Sequence, residues 1–389
     1  YVKWFIPFIK NFIHSGYQNP WNSFLEIGGD SRAFPYGIGM VFFFSIPFAL
    51  KSIVVNISPE IVTHADVFLM SIPIILADYL IFYILVNSLE LDKKRTIYIY
   101  WCSPVVFYIS YYFGQLDIVP MFLMLASTVF LIKEKFVYSA IIFAVGLATK
   151  ENLFIAMPFL LIYVFNKGGS RKVFSLYLAT LSVCYLLLTF GFFNSSGYQE
   201  MVLGAKERTW IFMSTLRFGD YELLLLPLGL SLLYLKFALY QKLNHDIFIM
   251  YLGMAFTLVL LFIPAATPGW YMWLIPFLCY FFINTQNTQK LHSALPILFS
   301  LLFILFFMVK VPYPLNLINP DSVSVLLTIT GGLLSKSTHN LIVNITFTFF
   351  QGIIAYIAAM MYFYGVRSNE VYKIRTGPLI IGIGGNSGS

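Results

Sequence analysis

The chain predicts an all-α fold, a polytopic transmembrane helical bundle, on three observations. Of its 389 residues, 59% are hydrophobic and only 11% charged, against roughly 25% charged in a soluble domain. Apolar runs of membrane length recur between residues 66 and 364. Lysines and arginines gather in alternate loops between those runs, the pattern that sets membrane orientation.

Residues 1–65 read as a loop on the outer face, carrying juxtamembrane helices. Tyr36 to Val55 is apolar enough to span, but a span there would put Lys93-Lys94-Arg95 outside. With Pro35, Pro47 and Lys51 in or beside it, the segment reads instead as an amphipathic or half-inserted helix on the outer face.

The bundle follows over 66–364. A spanning helix needs about 20 apolar residues, roughly 17–25. Runs 66–87, 173–193, 222–240, 247–265, 292–309 and 341–364 qualify. Shorter runs are 97–113, 118–132, 137–149, 152–165 and 270–283, which must tilt, take in polar end residues or thin the bilayer. That makes about eleven spans. The run 323–334, short and rich in Ser, Thr and Gly, reads as re-entrant or interfacial.

The basic loops hold Lys93-Lys94-Arg95, Lys133 with Lys135, Lys167 with Arg171-Lys172, Lys236 with Lys242, Lys290, and Arg367 with Lys373 and Arg375. The positive-inside rule makes these cytoplasmic and leaves the C-terminus in the cytoplasm. The expected location is a cell membrane, crossed many times, a bacterial plasma membrane by preference. The net charge of +7 is spread over these loops and does not indicate nucleic-acid binding. Cys102, Cys184 and Cys279 all sit in apolar runs and read as buried small hydrophobes. No His pair has metal-ligand spacing, and no metal site is expected. The start without Met and the end in a glycine-rich stretch read as a fragment of a longer protein.

Polar clusters collect on the face opposite the basic loops. Gly114-Gln115-Leu116-Asp117 places an amide and a carboxylate between two apolar runs, where an ionisable residue is costly and marks function. Asp117 also suits the N-cap of 118–132. Lys150 and Glu151 stand at an apolar junction, either as a charged turn or with Lys150 meeting an anionic headgroup. Lys206 and Arg208, two apart, would not share a helical face, but in a loop both could meet a phosphate. Trp270, Tyr271 and Trp273 are either an interfacial aromatic belt or a sugar-stacking platform. Asp30 precedes Phe34-Pro35-Tyr36 in the outer loop. Together these make a pocket lined by carboxylates, bases and aromatic rings. Asp78, deep in 66–87, reads as a polar contact between helices.

The tail is of another kind. Residues 365–378 read as a cytoplasmic linker. From 379 to 389 a short apolar strand, Leu379 to Ile383, runs into Gly385-Asn386-Ser387-Gly388-Ser389. Those five match the opening of the phosphate-cradling loop G-x-x-x-x-G-K-[ST], with Gly385, Ser387, Gly388 and Ser389 as nucleotide-binding candidates. A flexible linker is the alternative.

Phe34-Pro35-Tyr36, then an apolar segment, a span carrying Asp78, a basic loop, Trp101-Cys102-Ser103-Pro104 and Gly114-Gln115-Leu116-Asp117 form an ordered pattern. It resembles the integral-membrane GT-C glycosyltransferases, in particular the dolichyl-phosphate-glucose glucosyltransferases, GPI-type mannosyltransferases and their bacterial relatives. Lys150 before Phe154 to Pro158, and the aromatic turn Pro268 to Pro276, fit as well, so the likeness covers about residues 1–364.

The resemblance implies a helical bundle with a long first outer loop. It implies inverting transfer of a sugar from a polyprenyl-phosphate-linked donor to a hydroxyl of a lipid or glycan acceptor in the membrane. A carboxylate would act as general base, with Asp30 and Asp117 as catalytic candidates. Gln115, Lys150, Glu151, Lys206, Arg208, Trp270 and Tyr271 would bind substrate, with Lys206 and Arg208 at the departing phosphate. The family's base follows a first span, whereas here 1–35 already reads as outer loop. Residues 379–389 resemble the start of uridine-kinase-like or phosphoribulokinase-like P-loop kinases, implying a fused cytoplasmic α/β domain that uses ATP and Mg2+. For the membrane unit the sequence points to no particular cofactor. A lipid or sugar transporter or flippase is the other function this composition allows.

Overall fold

The computed structural model describes residues 3–54, 62–240, 242–263, 266–285, 290–310 and 336–369. The run 323–334 and the tail candidates Gly385, Ser387, Gly388 and Ser389 lie outside the described residues. The described chain is mostly helical, and four helices are long and apolar enough to cross a membrane: His64–Ser88, Arg171–Phe192, His245–Phe262 and Ser337–Arg367. Six shorter apolar helices accompany them, Ile38–Ser52, Ile118–Ile132, Phe136–Thr149, Met157–Lys167, Leu225–Ala238 and Ala294–Met308. At about 1.5 Å per residue, a 15-residue helix such as Ile118–Ile132 measures about 22 Å, less than a bilayer core of about 30 Å.

Helices α1 (Phe5–His14), α2 (Pro20–Glu26) and α3 (Ile38–Ser52) build one unit. α2 starts on Pro20, with Asn19 capping through its side chain. α1 and α3 pack together, and α3 leans on α4 (His64–Tyr83) and α8 (Phe136–Thr149). Phe8 stacks on Phe34, with ring centroids 4.4 Å apart. Of the two forms expected for α3, amphipathic or half-inserted, its surface suits the second. Ile38, Val41, Phe44 and Phe48 are buried, yet Phe42, Ile46 and Leu50 are exposed and apolar too. Apolar residues on both faces suit a helix in contact with lipid rather than one lying at an aqueous surface.

Two expected spans are broken. The run 97–113 divides into wide helical turns, Ile97–Trp101 and Tyr108–Tyr112, around α6 (Pro104–Phe107). Pro104 causes this, since a proline cannot donate to the preceding turn. Asp78 on α4 accepts from Tyr100 Oη at 2.7 Å and Tyr111 Oη at 2.5 Å, on either side of the break. It is the interhelical polar contact the sequence suggests.

The run 222–240 loses its start to a hairpin. β1 (Thr215–Phe218) pairs antiparallel with β2 (Tyr221–Leu224), Phe218 opposite Tyr221. Gly219, at φ +60°, supplies the left-handed residue that a two-residue turn demands. Only then does α12 (Leu225–Ala238) begin.

α7 (Ile118–Ile132) and α8 form the most intimate helical pair in the bundle, joined by a tight turn at Lys133 to Lys135. Such a pair is antiparallel, so the end of α8 returns beside the start of α7. The cysteines depart in part from expectation: Cys279 is buried, Cys184 half-buried and Cys102 exposed.

Candidate functional site

The α7–α8 hairpin assembles the site. Gly114, at φ +73°, turns the chain after Tyr108–Tyr112 so that Asp117 opens α7. The backbone of Asp117 occupies the N-cap position, but its side chain makes no capping hydrogen bond. It turns inward instead, and Lys150, at the end of α8, ion-pairs with its Oδ1. The two residues are 33 apart in sequence. Trp273 Nε1 donates to the same oxygen at 3.0 Å. Asp117 is completely buried.

An aromatic shell holds the ammonium. Lys150 Nζ lies 5.0 Å from the Tyr36 ring centre, 5.1 Å from Trp273 and 5.9 Å from Trp270. Such contacts with a desolvated cation contribute up to about 2 kcal/mol each. Pro268 opens a 3₁₀ turn, Pro268–Trp273. Three residues per turn eclipse positions i and i+3. Trp270 and Trp273 therefore stack, centroids 5.0 Å apart and planes 20° apart. Tyr36 arrives from the cap helices because Gly37 N donates to Thr149 O, fixing the start of α3 against the end of α8.

A second ion pair adjoins the first. Glu151 pairs with Arg208, and Arg208 Nη1 also donates to Leu203 O at 2.9 Å. Burial pushes the Glu151 carboxyl up, and the nearby guanidinium opposes that shift. Trp210, on the same short helix as Arg208, packs on Trp270 with centroids 5.6 Å apart.

The remaining candidates divide. Gln115 is half-buried with its Cβ and Cγ against Gly269, so it belongs to the site. Lys206 does not join Arg208. Both lie on the 3₁₀ helix Lys206–Phe212, where a spacing of two points them apart, and Lys206 is exposed while Arg208 is committed to Glu151. Lys150 likewise meets a carboxylate of the chain rather than standing open to a headgroup. Tyr271 faces away from the pair. Its ring packs on Phe303, Phe307 and Phe350, as core. Trp270, Tyr271 and Trp273 are all buried, which is not the exposure of an aromatic belt. Asp30 is held within its own loop by Arg32, at 2.7 and 3.0 Å, and no contact among the described residues links it to Asp117. The Arg32 side chain lowers the Asp30 carboxyl to about 2.

One oxygen of Asp117 stands apart. Oδ2 is buried and has no hydrogen-bond partner among the described residues. It faces the α-carbon of Gly269, where an added Cβ would lie 2.6 Å away. An unmet buried acceptor costs about 1–3 kcal/mol, which a ligand O–H or N–H would recover. The site therefore holds an unsatisfied carboxylate oxygen enclosed by the turn at Gly269, two cations already ion-paired and a stack of indoles. No set of three His, Cys, Asp or Glu among the described residues could hold a metal ion.

Tyr36 and Trp273 line the candidate site against Lys150, roles the sequence did not indicate for either. Their signal lay only in their place within Phe34-Pro35-Tyr36 and the Trp-rich turn. A second buried cluster carried a clearer mark. Thr63 and Asp66 form a capping box at the start of α4, and Asp66 also accepts from Lys10 at 3.1 Å and Lys51 at 2.6 Å. Comparison with known proteins finds no family model that matches this chain, no similar curated protein and no similar solved structure.

Proposed function

We propose that this protein is a membrane glycosyltransferase. It moves a sugar from a polyprenyl-phosphate carrier to an acceptor hydroxyl, at the end of the bundle that holds Asp117. The observation that carries the reading is the half-satisfied carboxylate of Asp117, one oxygen fixed by Lys150 and Trp273 and the other facing Gly269. Such a group keeps acceptor capacity for a substrate hydroxyl, which the turn at Gly269 and the Gln115 side chain must yield to admit. Arg208, exposed beside Glu151, has guanidinium donors left for a phosphate leaving group, while Lys150 stays with Asp117. Trp270 and Trp273 wall the Lys150 ammonium at that end of the bundle.

In this reading the bundle has about eleven spans, the short apolar helices among them tilted or in thinned bilayer, and the site faces the outside of the cell. The tail 379–389 belongs to a nucleotide-dependent kinase-like unit in the cytoplasm, a reading that rests on those residues alone.

The test is transfer of radiolabelled sugar from a panel of polyprenyl-phosphate donors to lipid extract, using the full chain in nanodiscs. We expect transfer by the wild type and a loss of about 100-fold in Asp117→Asn. Unchanged transfer in that variant removes Asp117 from the reaction, and no transfer from any donor removes the class.

A second reading has its own observation. Asp78 lies inside a spanning helix, bridged to Tyr100 and Tyr111 across a broken helix. Interrupted helices with a carboxylate at depth are features of transporters. Uptake of labelled sugar or flipping of fluorescent lipid in proteoliposomes, abolished by Asp78→Asn and without covalent product, would favour it.

A further inference from the structure

We propose that the β1–β2 hairpin lies flat on the membrane surface at the Asp117 end of the bundle, with its apolar face among the lipids. The proposal needs only a chain set in a bilayer and does not rest on the glycosyltransferase reading. Its basis is the register of the two strands. Side chains alternate between faces along a strand, and residues paired across an antiparallel ladder share a face. Leu216 pairs with Leu223 and Phe218 with Tyr221, so these four make one face. Arg217 pairs with Glu222 on the other face, where their side chains form an ion pair at 3.1 Å. The hairpin is therefore amphipathic, four apolar residues on one side and a charged pair on the other.

The apolar face is open. Leu216, Phe218 and Tyr221 are 50, 62 and 82% exposed, and Leu223 is half-buried. A two-stranded hairpin is marginal in water on its own, and an exposed apolar strand invites aggregation. Lipid is the cover that the surroundings supply. The hairpin runs straight into α12, where Leu228, Leu232 and Leu235 are exposed along one helical stripe. Phe212 and Met213, just before the hairpin, are exposed as well. Apolar exposure thus continues along the chain from the hairpin into a helix of the bundle.

The depth follows from the backbone. Among the described residues β1 and β2 pair only with each other, so their outer edges carry polar groups that hydrocarbon would leave unsatisfied. At headgroup level the edges and the Arg217–Glu222 pair meet water while the other face meets acyl chains. Phe218 and Tyr221, at the tip, are of the aromatic kind enriched at that level.

The base of the hairpin is tied to the bundle. Ser214 Oγ donates to Phe262 O at the end of the helix His245–Phe262, and Leu225 N donates to Ser214 O at 2.9 Å. The short helix Lys206–Phe212 ends two residues before Ser214 and carries Arg208, which pairs with Glu151 beside Lys150. A hairpin seated on lipid therefore holds the Arg208–Glu151 pair near the same level.

The test reads depth residue by residue. Cys102 and Cys184 are replaced by serine, and the buried Cys279 is kept. Single nitroxide labels are then placed by Leu216→Cys, Arg217→Cys, Phe218→Cys, Tyr221→Cys and Glu222→Cys in the full chain. In nanodiscs of phosphatidylcholine and phosphatidylglycerol, electron paramagnetic resonance compares collisions with oxygen, concentrated in lipid, and with a nickel chelate, confined to water. We expect oxygen to dominate at 216, 218 and 221 and nickel at 217 and 222, so that the ratio alternates with the strand period. Adding Phe218→Asp and Tyr221→Asp should raise nickel collisions at 216 to the level seen at 217. Nickel access at 216, 218 and 221 equal to that at 217 and 222 would overturn the proposal, since the hairpin would then stand in water. Exclusion of both reagents from 216, 218 and 221 would overturn it too, by showing a protein partner or a second copy on that face. Oxygen dominance at all five positions would do the same, by sinking the hairpin whole.

Discussion

Asp66 and Asp117 are alike in burial and unlike in completeness. Both are completely buried, and both ion-pair with a lysine. Asp66 accepts from Lys10 and the Thr63 N–H at one oxygen and from Lys51 at the other. It ties α1, the end of α3 and the start of α4 into one corner. Asp117 has both donors on one oxygen and none at the other among the described residues. A saturated buried carboxylate spends its hydrogen-bonding capacity on the fold. One with capacity left over has something to offer a ligand. The difference separates a structural clamp from a site better than charge or depth does.

Four measurements test that contrast. The largest effect belongs to Asp66→Ala, which strands the almost wholly buried Lys10 without its counter-ion. Thermal unfolding in detergent should show a loss of about 3–5 kcal/mol. A loss below 1 kcal/mol would deny Asp66 its role as clamp. Next comes Asp117→Asn, whose cost should fall on transfer, by about 2.7 kcal/mol of barrier. Its melting temperature should drop less than that of Asp66→Ala, and the reverse order would erase the distinction. Trp273→Phe keeps the ring but removes the N–H that pins Oδ1. A loss of about 1.5 kcal/mol of stability is expected for a hydrogen bond to a charged acceptor, measured in the same unfolding assay.

Asp30 gives the smallest effect. Its bond with Arg32 is solvent-exposed and confined to one loop, so Asp30→Asn should leave the melting temperature at neutral pH unchanged. The sign of its pH dependence is set by a folded-state value lowered from 3.8 to about 2. The pair's contribution is present above the ordinary value and fades as pH falls through about 2. NMR titration of a labelled Asp30 carboxyl near 4 would contradict the pairing.

Parts of this organisation could be read without coordinates. Hydropathy placed 66–87, 173–193, 247–265 and 341–364 where helices of membrane length stand, because a run of that composition has no other stable solution in lipid. Gly114-Gln115-Leu116-Asp117 marked a candidate site because a carboxylate at the end of an apolar run is expensive, and the structure shows that carboxylate buried and ion-paired. Other features were illegible for physical reasons. The hairpin at 215–224 looks like the start of an apolar helix, since Leu223 and Leu224 suit either structure and Gly219 alone marks the turn. Tyr271 and Trp270 are chain neighbours that face a phenylalanine core and a lysine respectively. Only the phase of a 3₁₀ turn separates them.

Read alone, the sequence established that this chain carries helices long and apolar enough to cross a membrane, where most of them run, and which polar residues stand at their ends. Those follow from the cost of moving each residue between water and hydrocarbon, a property of the residue and its neighbours in the chain. Tertiary structure alone decided that Lys150 meets Asp117, that Trp273 reaches it from 156 positions away, and that Gly269 rather than a side chain faces the remaining oxygen. Those depend on which helix ends pack together, and pairwise closure across so long a loop leaves no periodicity in the sequence to read.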